Sequence, residues 1–183
     1  MSQNKATSTF KARLLRPVTS DRNTVRAFVV LPKEVSETLP RRGRTTVDGT
    51  INDEAFRATL EPDGRLSHWL PLEEKLIEDS GSTIGEEAMF TIKTVEQEPE
   101  PELPADFQEA LAAAPEAKAV WDDTTTIARV DWIHWIVSAK QAKTRAKRIN
   151  DACEQLAAGK RRVCCFDPSG FYSKALRAPK AED

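Results

Sequence analysis

A chain of 183 residues can bury one substantial core, or a core plus a helical appendage. With 39% hydrophobic and 31% charged residues it has the composition of a folded globular protein, which excludes wholesale disorder. The net charge of −2 carries no overall polyanion-binding signature, and no apolar run approaches the roughly 20 residues of a membrane span.

The N-terminal MSQNKATSTF lacks an apolar signal core, so a cytoplasmic location is expected. Three cysteines, two of them adjacent (Cys164, Cys165), do not make a secreted disulfide framework. Residues 10–16 and 24–31 read as strands bridged by a polar turn, SDRN, at 20–23; Val25, Ala27, Val29 and Leu31 alternate with Arg26, Phe28 and Val30. Pro32 opens a helical turn that Pro40 ends. Arg41, Arg42 and Arg44 lead into TTVDGTI, where Asp48-Gly49 points to a bulge or bend. A hairpin follows, AFRATL–EPDGR–LSHWL, with Phe56, Ala58 and Leu60 on one face. Residues 72–79 form a helical turn or two before the Gly-Ser-Thr linker at 81–83. The last strand, EAMFTIKTV, sets Ala88, Phe90 and Ile92 on one side. Five or six short strands at this spacing favour a closed barrel, which also removes exposed edges.

The proline-broken acidic stretch 96–104 marks a domain boundary, giving a barrel over 1–98, a helical region over 99–166 and a tail over 167–183 that frays at its end. Short helices are expected at 106–113 and from Pro115 to about Trp121, with Asp122, Asp123 and Thr124–Thr126 as candidate caps beyond them. Residues 130–159 then spell one long helix of about 40 Å, at roughly 1.5 Å per residue. Its apolar stripe runs Trp132, Trp135, Ile136, Ala139, Ala142, Ala146, Ile149, Cys153 and Leu156, and the rod is expected to pack on the barrel. Gly159 ends it.

Nine Lys/Arg against three acids between Arg129 and Arg162 make this the one cationic surface. Lys140, Thr144 and Arg148, spaced i, i+4, i+8, share a face with Arg145 beside them. These four are the candidate anion- or partner-binding residues; the alternative is a solvated face that pairs with the acidic linker. Trp132 and Trp135 belong to the core rather than to a base- or sugar-stacking site. His68 and Trp69 sit one in, one out on their strand, with a packed Trp preferred to a barrel-mouth pocket. Metal binding is not expected: His68 and His134 are the only histidines, they lie in different halves, and Cys164-Cys165 lacks C-x-x-C spacing. Either of those cysteines beside Arg161 and Arg162 has no nearby histidine to act as base. GSTIG at 81–85 lacks the Gly-Lys-Ser/Thr ending of a phosphate loop and leads into a strand.

LPKEV, VDGTINDEAFRATLEPDG and SGSTIGEEAMFTIK, followed by LPADFQEAL, WIVSAKQAKTRAKRI and LAAGKR, resemble the YdeI/OmpD-associated family from about Phe10 to Arg162. The first group is similar to the domain of unknown function that opens those proteins, the second to their OmdA-type region. Glu86 departs from the family's usual aspartate, and Asn52-Asp53 stands where glycine is common. The resemblance implies a β half of the double-split or pseudo-barrel type and a bacteriocin-protection label. It brings no catalytic residues.

The fold class expected is therefore α+β: a small N-terminal β-barrel and a C-terminal helical region ending in one long amphipathic helix. The leading function is a non-enzymatic binding or stress-protection protein that recognises an anionic ligand or a protein partner, with no cofactor and as monomer or dimer. A nucleic-acid-binding regulator, with Arg41, Arg42 and Arg44 adding to the helix cations, is the alternative. An enzyme using Asp48, Asp53 or Glu86 as general acid or base comes third.

Overall fold

The structure, a computed structural model, describes residues 7–18, 25–164 and 166–182. Two compact units divide it: residues 1–97 with 169–183, and residues 98–168.

The first unit is a nearly closed, six-stranded antiparallel barrel. Its strands are β1 (Ser8–Arg13), β2 (Ala27–Val30), β3 (Thr45–Ile51), β4 (Glu54–Pro62), β5 (His68–Leu72) and β6 (Glu87–Thr94), with short helices α1 (Lys33–Glu37) and α2 (Glu74–Asp79) between them. The order across the sheet is β1-β6-β3-β4-β5-β2. Beyond the end of β1, Leu15 exchanges both backbone hydrogen bonds with Phe28 of β2, at 2.8 and 2.9 Å, and so ties the two outer strands together. Period-two alternation drives this closure. Phe10, Val29, Val47, Leu60, Leu70, Phe90 and Ile92 all point inward, and the Phe10 and Phe90 rings stack at 5.3 Å. The turn expected at 20–23 lies outside the described residues.

Two expectations in this half are corrected. Asp48-Gly49 is neither bulge nor bend: β3 stays in register on both sides, Gly49 facing Phe56 of β4 and Ile92 of β6. Glycine is needed there for close approach, since a Cβ would lie 2.2 Å from the Thr91 carbonyl oxygen. The chain reverses instead at Asn52-Asp53, both with positive φ (46° and 71°), the geometry of a two-residue hairpin with a primed turn. The Asn52 side chain steadies it by accepting from Met89 N–H and donating to Ser82 Oγ. The second correction concerns the tail, which is hydrogen-bonded to the first unit as far as Glu182. Ala181 bridges Pro17, Val18 N–H donates to the Lys180 carbonyl, and Glu182 N–H donates to that of Arg16. Gly64 and Gly170 leave the room that Leu176 occupies.

His68 is the inward residue of its pair, fully buried, while half-buried Trp69 meets Phe28 edge to face. His68 Nε2 lies 2.9 Å from the Gly43 carbonyl, which can only accept, so Nε2 carries the proton and Nδ1 accepts from Ser36 Oγ at 2.7 Å. Burial depresses the pKa below its ordinary 6.5. The imidazole is a neutral tie between α1, the 43 loop and β5. Because the unfolded chain takes up a proton that the folded one resists, its stabilising contribution is complete above pH 6.5 and is lost as pH falls below it, at a limiting slope of about 1.4 kcal/mol per pH unit. Urea titrations between pH 7 and 5 should show stability falling as the pH is lowered in the native protein, and a flatter profile in His68→Gln.

The second unit is all helix: α3 (Ala105–Ala112), α4 (Pro115–Asp123), α5 (Thr126–Val137) and α6 (Ala142–Ala157). Pro115 fills the first turn of α4, and Thr125 caps α5 by accepting from Ala128 N–H. Phe107, Leu111, Ala117, Trp121, Trp132, Ile133, Ile136, Ile149, Ala152 and Leu156 close a core of their own. The single long helix expected over 130–159 is therefore corrected to two. Trp132 and Leu156 would stand about 120° apart around one straight helix of 3.6 residues per turn, so no single neighbour could bury both ends of the stripe. The chain breaks at 138–141, and α6 turns back along α5. Ala142 and Ala146, placed on the stripe, are exposed. Gly159, at φ +90°, closes α6 in a Schellman arrangement, with Gly159 N–H to Leu156 O and Lys160 N–H to Gln155 O.

Candidate functional site

The break between α5 and α6 sorts the cationic residues into two groups. Arg148 points back at α5. Its Nη1 donates to the Trp135 carbonyl at 2.6 Å and to Ser138 Oγ at 3.1 Å, and its guanidinium lies 5.5 Å from the Trp135 ring centroid. A cation on the last carbonyls of a helix is stabilising, and here it also fixes the turn. Arg145 is a fork on Asp106 in the first turn of α3, with Nε and Nη2 donating at 2.7 and 3.0 Å. That pairing holds the Asp106 carboxyl below, and the Arg145 guanidinium above, its ordinary range. Lys147 pairs with Asp151 one turn on.

Lys140, Lys143 and Thr144 stand apart from these ties. Lys140 lies in the break itself rather than on the helix, so it does not share the face of Thr144 and Arg148 through helical spacing. Lys140 and Lys143 are exposed, and among the described residues neither ammonium has an intramolecular partner, nor does the Thr144 hydroxyl. Gln141 provides no side-chain cap to α6, and the first turn holds no acid. The first backbone hydrogen bond of this helix is Arg145 N–H to the Gln141 carbonyl, which leaves the N–H groups of Ala142, Lys143 and Thr144 directed outward. Cations near the positive end of a helix dipole cost roughly 0.3–1 kcal/mol each, the opposite of usual placement, and an anion there would reverse the sign. Sequence spacing alone missed Lys143 as a partner of Lys140 and Thr144, and Asp106 as the carboxylate that holds Arg145.

Glu100 of the acidic linker meets Arg129 of α5, outside the Lys140–Arg148 face. Glu100 accepts from Arg129 Nε and Nη2 and from Thr126 Oγ1, while Arg129 Nη1 donates to the Trp121 and Thr124 carbonyls. Arg161 pairs with Asp123 at the end of α4.

These helices and the barrel are also what known families describe. The family model for a domain of unknown function, DUF1905, matches residues 10–92, and the model described as "OmdA: Bacteriocin-protection, YdeI or OmpD-Associated" matches residues 100–159. The chain belongs to the YdeI/OmpD-associated family. No curated protein matches the chain. The DUF1905 match reaches all six strands, from the third residue of β1 to within two residues of the end of β6. The YdeI/OmpD-associated helical match opens at Glu100 and closes at Gly159, so it contains Lys140, Lys143, Thr144, Arg145 and Arg148.

The remaining sequence candidates fall elsewhere. Asp48, Asp53 and Glu86 are exposed rather than inside the barrel. Asp48 is a fork partner of Arg57, which holds its carboxyl below the ordinary range, away from what a general acid needs. Trp132 is buried, its Nε1–H donating to the Arg161 carbonyl, and half-buried Trp135 packs against it. Burial raises the Cys153 thiol; Cys164 is exposed, and Cys165 lies outside the described residues. Among the described residues no three His, Cys, Asp or Glu side chains gather where they could hold a metal. None of their helices is long and apolar enough to cross a membrane.

Proposed function

We propose that this protein is a cytoplasmic binding protein that takes an anionic group of a ligand or partner, a phosphate or a carboxylate, at the start of α6. One observation carries the reading: an uncapped helix start leaves three N–H groups outward, and the side chains of Lys140, Lys143 and Thr144 within its first residues have no intramolecular partners among the described residues. Lys140 and Thr144 contact the anion in this reading. Arg145 and Arg148 hold α3 and α5 in place around it. The bacteriocin-protection label of the helical match accords with a protective role rather than a metabolic one.

A nucleic acid is the weaker reading. Arg41 donates to the Arg44 carbonyl, Arg42 to that of Leu66, and Arg44 pairs with Glu61 at 2.9 Å, so all three serve the barrel's own loops. Calorimetric titration of the full chain with inorganic phosphate should show saturable binding with a shallow salt dependence, as few phosphate contacts require. Lys140→Ala with Lys143→Ala should weaken binding about tenfold and leave the thermal midpoint in place. Arg148→Ala should lower the midpoint instead. No binding by the native chain, or undiminished binding by the double variant, contradicts the reading; a steep salt dependence with single-stranded DNA would favour the nucleic acid.

A further inference from the structure

A second site lies in the helical unit, away from the start of α6. A pocket of about 180 Å³ opens between the first turns of α5 and the segment that follows α6. Ile127 and Asp131 line it from the helix; Arg162, Val163, Phe166 and Pro168 line it from the segment beyond. Phe166 is held in place by an edge-to-face contact with buried His134, 5.3 Å between centroids. Ile127 is 42% exposed, a large aliphatic left at the pocket.

The charges of the pocket are unusual in one respect. Asp131 and Arg162 face the same small space, yet no ion pair joins them, and among the described residues Arg162 has no intramolecular partner. Opposite charges lining one small space, with Ile127, Val163 and Phe166 beside them, match a ligand that carries both complements on one short frame. A volume below the roughly 300–1,000 Å³ of drug-sized sites limits that ligand to a metabolite-sized molecule.

We propose that this pocket binds a free α-amino acid with an apolar side chain. Its carboxylate pairs with the Arg162 guanidinium, which can present two N–H donors to it. Its ammonium meets Asp131, whose two oxygens offer about four acceptor positions and can take a ligand alongside another partner. Its side chain covers Ile127, Val163 and Phe166. A simple acid leaves Asp131 facing the ligand carboxylate, and a simple amine leaves Arg162 unmatched, so both bind less well.

The test uses the full chain and three probes of one size, L-leucine, 4-methylpentanoate and 3-methylbutylamine, titrated by calorimetry and by amide NMR. L-Leucine should saturate at millimolar concentration or below, with shifts at Ala128, Asp131 and Val163, and each truncated probe should bind at least tenfold more weakly. Arg162→Gln should erase the advantage of leucine over the amine while phosphate binding at Lys140 and Lys143 persists. The comparison among probes needs no variant, so it stands even if Asp131→Asn or Phe166→Ala fails to fold. No saturable leucine binding, or 4-methylpentanoate binding as tightly as leucine, would overturn the proposal.

Discussion

Trp132→Ala is expected to cost the helical unit about 3–5 kcal/mol, the range for deleting a buried aromatic side chain. Trp132 is fully buried in the hydrophobic core of this unit, and its Nε1–H satisfies the Arg161 carbonyl just past α6. A unit of this size holds roughly 4–10 kcal/mol in total, so the variant should lose most of its α-helical signal at physiological temperature. Trp132→Phe keeps a ring but drops the hydrogen bond, and should cost about 1–2 kcal/mol in urea denaturation. A Trp132→Ala chain that loses less than about 1 kcal/mol would show the tryptophan lying outside the core.

Gly49→Ala should be nearly as damaging to the barrel. The added Cβ would stand 2.2 Å from the Thr91 carbonyl oxygen and 3.2 Å from the Ile92 Cα. Both belong to the backbone of β6, which is itself hydrogen-bonded to β1 and β3, so neither can swing aside as a side chain would. Overpacking of this kind costs about 1–3 kcal/mol, and a backbone clash belongs at the upper end. Gly81 supplies the control: its φ is +67° but nothing lies within 4 Å of a Cβ, so Gly81→Ala should cost only the backbone strain, about 1 kcal/mol. Equal losses in the two variants, measured by thermal unfolding, would mean that β3 and β6 are not in the close approach described.

Much of the barrel was legible because its signals are local. Ala88, Phe90 and Ile92 alternate cleanly, and so do Phe56, Ala58 and Leu60, hence β6 and the β4–β5 hairpin read directly from the chain. Thr125 and Pro115 behaved as helix-start residues do. What could not be read depended on a distant neighbour. Asp48-Gly49 is the stronger turn signal by residue type, but β6 on its far side keeps it extended and passes the turn to Asn52-Asp53. The break at 138–141 rests on Arg148 reaching back thirteen residues to the Trp135 carbonyl, which no spacing rule encodes. The phase drift along the stripe was a usable warning, since apolar steps averaging below 3.6 cannot stay on one straight face.

The cationic band shows the same limit in a sharper form. Spacing put Lys140, Thr144 and Arg148 together, but it could not say which cations find carboxylates or carbonyls inside the molecule. Arg145 and Arg148 do, through Asp106 and Trp135, and Lys147 does through Asp151; among the described residues Lys140 and Lys143 do not. Pairing, rather than position on a helical wheel, separates the groups that brace the helices from those available to a partner.

That division is tested most directly by amide NMR of the full chain during titration with inorganic phosphate. The N–H signals of Ala142, Lys143 and Thr144 should move together and saturate, with those of Arg145 and Arg148 side chains unmoved. Shifts scattered over surface lysines without saturation, or displacement of Arg145 from Asp106 as phosphate binds, would contradict it.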